Sequence, residues 1–433
     1  MTFIYLLLSN AQAANDGSGL WMPRQASELA EDIDNVFFFI YWVSVVFFII
    51  LMGGMIYLAW VYRRRSEDEM PPVIKGSHTL EFVWSVFPSF LLIAMFVMGF
   101  KIYMKSTVPP ADAIDVKVVG QQWNWQYYYP KYNIKLGASE ALVVPVDQSV
   151  RLQMYSMDVL HSFWVPDFRM KKDVLPNRYT VQWFQANDVY EDGYAYMQGE
   201  NTTSAGTAEL VSGDATETVQ FIVDYTFQQC KNKAENDPSL DCTKASPIKG
   251  KVWDGATPIS KDSIKAGVHQ VFCTEYCGDD HSRMLSKVVV LEQKYFDVWI
   301  DGKKNYSPYT DPKMAQLDAD KKPKVDENGD LVYDPVKVGE YLSKKTYACT
   351  GCHAVQEGKE KAGYPTWWGL AGSNRNFEDG TSTVANDEYI KSSIILPQSQ
   401  IVSGYGQNKM PSSYANMDEK DIASITAYIK TLK

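Results

Sequence analysis

The sequence predicts a multidomain membrane protein: a two-helix transmembrane hairpin, then an all-β barrel or sandwich, then an all-α domain. Three observations carry this. Two long uncharged apolar runs fall within the first 105 residues, runs rich in β-branched and aromatic residues with turn residues between them follow, and helical spacing returns near the C-terminus. The 433 residues suffice for such an arrangement, and a formal charge of −10 argues against nucleic acid as a partner.

Residues 1–35 form an N-terminal segment expected on the extracytoplasmic side. Its opening, MTFIYLLLSNAQAAND, has the short apolar core and Ala-Gln-Ala site of a signal peptide but no basic n-region. Residues 36–105 read as the hairpin. The runs Val36–Tyr62 and Phe82–Phe100 hold no charge and are long enough for a hydrocarbon core of roughly 30 Å. Arg63, Arg64 and Arg65 place the loop 63–81 on the cytoplasmic side and both flanking segments outside. Lys101 and Lys105 oppose this slightly and can snorkel.

Residues 106–300 read as the β domain. DVKVVGQQWNWQYYY, LVVPVDQSVRLQMYS, RYTVQWFQ, VHQVFC and SKVVVLEQ are strand-like, in the pattern of a small antiparallel barrel or sandwich. An acidic, polar insertion at about 186–265 interrupts them. It contains Cys230 and Cys242, most simply a disulfide pinning a surface excursion, and an Asn201-Thr-Thr glycosylation pattern. Residues 301–330 are charged and hold three prolines, as a linker would. Residues 331–433 form the helical domain, where Ile422, Ile425, Tyr428 and Ile429 share one face of the closing helix.

Two motifs carry chemistry. Cys349-Thr-Gly-Cys352-His353 is C-x-x-C-H, the covalent haem attachment signature, with His353 as one axial ligand. Met410, ahead of Pro411 in SGYGQNKMPSS, is the expected second axial ligand, with Met417 as its competitor. This stretch resembles class I cytochromes c, on CTGCH, the Met-Pro pair and the closing helix.

The second motif is CTEYCGDDHSRM, residues 273–284, with Cys273, Cys277, His281 and Met284 at spacings of four, four and three. Structural zinc usually takes two separated ligand pairs, and a thioether suits copper better. A second cysteine points to two coppers bridged by two sulfurs, which need a further terminal nitrogen. Of the five histidines, His353 is used by the haem, His78 lies on the cytoplasmic side, and His269 sits within a strand-like run where a structural role fits. His161, in DVLHSFWVP, is the choice. Met284 and the Glu275 carbonyl would cap the two coppers.

Residues of about 30–300 resemble subunit II of haem–copper cytochrome c oxidases. The motifs are TLEFVWSVFP, GQQWNWQY, DVLHSFWVP, VLPNR and CTEYCGDDHSRM. With the C-terminal domain, the whole chain resembles the cytochrome-c-fused, caa-type form. The resemblance implies a cupredoxin-like β domain and a binuclear CuA centre on His161, Cys273, Glu275, Cys277, His281 and Met284. It implies one covalently bound haem c on Cys349, Cys352, His353 and Met410, and a magnesium ion shared with subunit I through Glu275. It also implies Trp123 as the aromatic through which electrons enter, and Glu81 as a carboxylate at the cytoplasmic mouth of a proton channel. By position alone, Trp123 is a packed barrel residue and Glu81 an ordinary charged helix flank. Pro-Asn-Arg at 176–178 departs from the family's Pro-Gly-Arg, and the insertion is longer than its pattern needs.

The function implied is electron relay: from a donor through the haem to the dicopper site, and on to subunit I, where oxygen is reduced to water with proton translocation. Five histidines and two membrane helices cannot supply an oxygen site within this chain. The implied partners are subunit I and other oxidase subunits, membrane lipid, and a donor that is either cytochrome c or a docked quinol-oxidising complex. The implied location is a bacterial inner membrane, with both soluble domains periplasmic. The rival is the corresponding subunit of a CuA-containing nitric oxide reductase. A quinol-oxidising subunit would not need copper, nitrous oxide reductase needs a histidine-rich cluster, and a copper carrier would lack the haem.

Overall fold

The structure is a computed structural model that describes residues 22–187 except 68, 71–75 and 139, residues 205–245, residues 253–406 except 362, residue 410 and residues 414–433. Side chains are described outside 205–216 and 262. The signal-peptide pattern and Asn201 lie outside the described residues.

Helices α1 (Glu28–Val61) and α2 (His78–Thr107) form an antiparallel pair whose apolar surfaces face outward, as lipid contact requires. The first helix begins at Glu28, earlier than the apolar run from Val36. Acidic residues at 28–34 hide this start from a hydropathy reading. Those first turns are not in lipid: Leu29, Ala30 and Asp34 are buried against the β domain. There the Asp34 carboxylate accepts two hydrogen bonds from the Arg169 guanidinium, each 2.7 Å. Both side chains are under a tenth exposed. Lys105, at the outer end of α2, bridges to Glu28 (3.1 Å) and Asp32 (2.9 Å).

The β domain has two five-stranded sheets. One contains β1 (Ile114–Gln121), β2 (Asn124–Tyr129), β3 (Ile134–Leu136), β5 (Ser149–Ser156) and β8 (Thr180–Gln185), in the order β3-β2-β1-β5-β8. The other contains β4 (Leu142–Pro145), β6 (His161–Val165), β7 (Met170–Val174), β9 (Ala266–Cys273) and β10 (Leu285–Leu291), in the order β4-β10-β9-β6-β7. The sheets are mixed, which corrects the antiparallel expectation: β1 pairs with β5, and β4 with β10, in parallel. Strands that alternate between two sheets return to a neighbour in the same direction, which hairpin counting does not foresee. Trp125, Tyr127, Tyr129, Leu152, Met154, Phe163 and Phe184 fill the space between, each 0–1% exposed. At 177 the backbone is left-handed, φ 57°, a conformation that asparagine tolerates better than most residues.

The insertion is more than a polar excursion. Helix α3 (Ala205–Ala234) buries Val219, Ile222, Thr226 and Cys230 along one stripe, and Cys230 is disulfide-bonded to Cys242. Phe221, Val223 and Tyr225 pack partly buried beside it, so apolar residues fall on more than one face and blur the helical periodicity. Helix α4 (Gln293–Asn305) crosses the expected linker boundary and buries Tyr295, Phe296 and Trp299. The rest of the stretch to 330 folds on itself, through bridges Ala315–Tyr333, Leu317–Pro323 and Val325–Leu331.

The C-terminal domain contains α5 (Pro335–Tyr341), continued as one wide turn over Leu342–Thr346, a short hairpin of β11 (Asn374–Asn376) and β12 (Ser382–Val384), then α6 (Asp387–Ile395) and α7 (Glu419–Ile429). Asp334, Asn386 and Asp418 cap the three α-helices through their side chains. Val338, Leu342, Ile390, Ile422, Ile425 and Ile429 form its core.

Candidate metal and haem sites

Sheet pairing assembles the first site. Strands β6 and β9 are antiparallel with Phe163 opposite Cys273, so His161, at the start of β6, stands beside the loop leaving β9. The loop folds back on itself: Cys273 N–H donates to the Met284 carbonyl (3.2 Å), and Thr274 N–H to the Ser162 carbonyl (3.0 Å). Gly278 makes the reversal at φ 117°, which a side chain would strain.

Six donor atoms converge there. The two cysteine sulfurs are 3.8 Å apart. His161 Nδ1 is 3.9 Å and the Glu275 carbonyl 3.3 Å from the Cys273 sulfur. His281 Nδ1 is 3.4 Å and the Met284 sulfur 3.8 Å from the Cys277 sulfur. His161, Cys273, Cys277 and Met284 are buried, and the atoms of the first three lie within 4.8 Å of one another. Two thiols, two imidazoles and a thioether turned to one point fit a soft, thiophilic cation. Electrostatics agree: the hydrogen bond from Cys277 holds the Cys273 thiol well below its ordinary pKa, and that neighbouring thiolate drives Cys277 up. A cation would relieve that opposition.

Asp158, which sequence reasoning passed over, orients His161. Its carboxylate is 2.8 Å from His161 Nε2 and accepts from the Gln122 (2.8 Å) and Val159 (2.7 Å) N–H groups. With Nε2–H donated to Asp158, Nδ1 is left with its lone pair toward Cys273. The signal was available as a carboxylate three positions before a histidine. Gln122 Nε2 donates to the Cys277 carbonyl at 2.7 Å, tying the loop to the β1–β2 turn. His269 does something else: it is buried with Nδ1 2.8 Å from the Asp167 carboxylate.

The second site is a cavity of about 270 Å³ in the C-terminal domain, lined by Cys349, Cys352, His353, Trp367, Met410 and Tyr414 among others. His353 stacks on Trp367 with centroids 5.0 Å apart, and its Nδ1 meets the Pro365 carbonyl at 2.7 Å. That bond leaves Nε2 as the free donor. Met417 is not among the lining residues. Two free cysteines, an oriented imidazole and a thioether on one cavity fit a covalently tethered haem.

Trp123 lies between the sites. It lines the same cavity, its ring stands edge-on to Tyr364 at 5.8 Å, and it packs on Gly278 of the cysteine loop. Its indole N–H has no hydrogen-bond partner among the described residues. Glu81 is elsewhere, exposed in the first turn of α2 with an oxygen 3.2 Å from His78 Nδ1.

Known proteins share the order of these domains. The family model for the transmembrane domain of cytochrome c oxidase subunit II matches residues 15–102, that for its periplasmic domain matches 134–204, and that for cytochrome c matches 339–433. Cytochrome c oxidase subunit 2 of Alkalihalophilus pseudofirmus is 24% identical over 408 residues, covering 92% of this chain and 86% of that protein. The subunit 2 of Bacillus sp. strain PS3 is 27% identical over 384 residues, covering 86% and 80%. The crystal structure of the periplasmic domain of subunit II from Bradyrhizobium japonicum is matched over 46% of this chain and all of that one, at 21% identity and a TM-score of 0.27. The chain thus carries, in order, regions matching the transmembrane and periplasmic domains of cytochrome c oxidase subunit II and a cytochrome c domain, and it is similar to cytochrome c oxidase subunit 2 over most of its length.

Proposed function

We propose that this chain is the subunit through which electrons enter an aerobic terminal oxidase, with a binuclear CuA centre on the cysteine loop and one haem c in the C-terminal cavity. The convergence of His161, Cys273, Cys277, His281, Met284 and the Glu275 carbonyl on one point carries the reading. Copper and haem, when bound, supply one-electron chemistry. The chain's own residues do the rest. Asp158 fixes the His161 ring, the loop's backbone bonds hold the sulfurs together, Pro365 and Trp367 hold His353, and Met410 lines the same cavity. Burial keeps water from His161, Cys273, Cys277 and Met284, so little surrounding structure must rearrange when charge changes.

As a subunit II, the chain is membrane-anchored and associates with subunit I and other oxidase subunits. In our reading both soluble domains face the periplasm of a bacterial inner membrane. Glu275 offers its side chain to a magnesium ion shared with subunit I, Glu81 opens a proton path, and Trp123 receives electrons. The donor is a cytochrome c or a docked quinol-oxidising complex that reaches the C-terminal domain. Both relatives named above are oxidase subunits, which favours oxygen over nitric oxide as the complex's substrate.

The test is a metal and haem count on purified complex, with near-infrared and spin-resonance spectra. Two coppers and one c-type haem per chain, with a mixed-valence signal, are expected. One copper, or zinc, in the cysteine loop would overturn the assignment.

A further inference from the structure

The acidic insertion has no role in the reading above, yet it touches the C-terminal domain. Lys345, in the turn leading to the haem-attachment cysteines, places its ammonium 2.9 Å from both carboxylate oxygens of Glu217 on α3. Asp224, two turns on, pairs with Lys313 of the connecting segment. Between them Phe221 stands edge-on to Tyr306 at 5.8 Å, and Tyr306 meets Tyr341 of α5 at 6.1 Å. Gly302 lets α4 lie close beneath: a Cβ there would be 2.9 Å from the Phe221 ring.

A second close approach lies at the end of β3. Gly137 is buried, and a Cβ on it would sit 2.1 Å from the Lys345 carbonyl oxygen and 2.8 Å from Thr346 Cα. Backbone there cannot yield as a flexible side chain would. The three nearest obstacles all belong to the other domain, so a side chain at 137 conflicts directly with docking. Downstream of this seam, the same docking brings Tyr364 onto Trp123 and Tyr414 toward Gln121.

We propose that α3 and Gly137 form an internal dock that holds the haem-attachment domain on the β-sandwich, with Tyr364 as the positioning residue opposite Trp123. The electron-transfer consequence rests on the proposed function; the dock does not. The helix supplies charge and aromatic surface for the domain's first turns, and the glycine supplies closeness. Tyr364 then fixes the approach at the seam between the two sites.

The test uses the full chain within its complex. Amide hydrogen exchange is followed at 343–347 and 134–138, and electron transfer between haem and copper by flash reduction. Gly137→Leu is expected to leave copper and haem spectra intact and remove the fast transfer phase. It should raise exchange at the seam by about 5- to 150-fold, the equivalent of about 1–3 kcal/mol of overpacking. Tyr364→Leu should slow the fast phase while exchange stays as in the parent chain. Should Gly137→Leu fail to assemble, Lys345→Glu is expected to raise seam exchange by about two- to fivefold, with restoration by added Glu217→Lys. Unchanged exchange in Gly137→Leu, or charge reversal without restoration, would overturn the dock. Loss of copper or haem signals from the parent chain would instead overturn the proposed function and leave the exchange result standing.

Discussion

Replacing Asp158 by asparagine should weaken copper binding, and the size and pH dependence of the effect follow from the structure. The carboxylate takes hydrogen bonds from two backbone N–H groups and holds His161 Nε2 at 2.8 Å, with His161 itself fully buried. An asparagine can turn its NH₂ toward Nε2 and so favour the tautomer with hydrogen on Nδ1, the wrong one for a ligand. Losing such an orienting partner typically costs about 10- to 100-fold in metal affinity, or about 1.4–2.7 kcal/mol. Burial lowers the His161 pKa, but the hydrogen bonds to Asp158 and Cys273 outweigh it and the net shift is upward. A raised folded value means that this pairing stabilises the apo-protein fully below the ordinary histidine pKa, and that the contribution is lost as pH rises through the raised value. Protons therefore compete with copper up to a higher pH than for a free imidazole. Asparagine removes the first of the raising interactions and leaves burial, so the competition moves to lower pH. Copper titrations against a chelator should show the full deficit at about pH 8 and a smaller one at about pH 6. An affinity equal to that of the parent chain at pH 8, or a deficit of the same size at both, would refute this account of how Asp158 acts.

Three further outcomes are expected. Arg169→Met strands the Asp34 carboxylate between α1 and the β domain, and denaturation of the detergent-solubilised chain should show a loss of about 3–5 kcal/mol, with the double change Asp34→Leu/Arg169→Met recovering most of it. Serine at both Cys230 and Cys242 should loosen the end of α3 by up to about 3 kcal/mol, seen as faster amide exchange there, while the copper spectrum stays unchanged. Met410→Ala should alter the haem's axial ligation and lower its reduction potential, whereas Met417→Leu should leave both as they are, read by optical titration.

The parts legible in the sequence were those in which one short segment carries the whole signal. Cys273, Cys277, His281 and Met284 lie within twelve residues, so their spacing alone announces a soft-metal site. The two apolar runs announce the hairpin in the same way. His161 was reached by elimination among five histidines, because its nearness to Cys273 is a property of the β6–β9 pairing and has no local trace. Asp158, Tyr364 and Gly137 were missed for one reason: each acts on a group far away in sequence, through a hydrogen bond, a ring contact or a missing Cβ. Helix α3 leaves little helical trace because Phe221, Val223 and Tyr225 interleave with the buried stripe Val219 to Cys230 and spread the apolar residues over several faces. The start of α1 was missed because its charges serve the β domain and not the bilayer.

The placing of the insertion follows from the same topology. It enters between β8, in one sheet, and β9, in the other, where the chain must cross over in any case. His161 and Cys273 are held together by the β6–β9 ladder and the loop's bonds to Ser162, none of which depends on the length of that crossing. Lengthening a connection roughly eightfold adds only about 2 kcal/mol of closure entropy. The buried stripe of α3, a disulfide of about 3 kcal/mol and the contacts with α4 offset a cost of that size. A long acidic segment can thus be added without disturbing the cluster of His161 and the cysteine loop, and because α3 packs over β9, it emerges beside the C-terminal domain that we propose it docks.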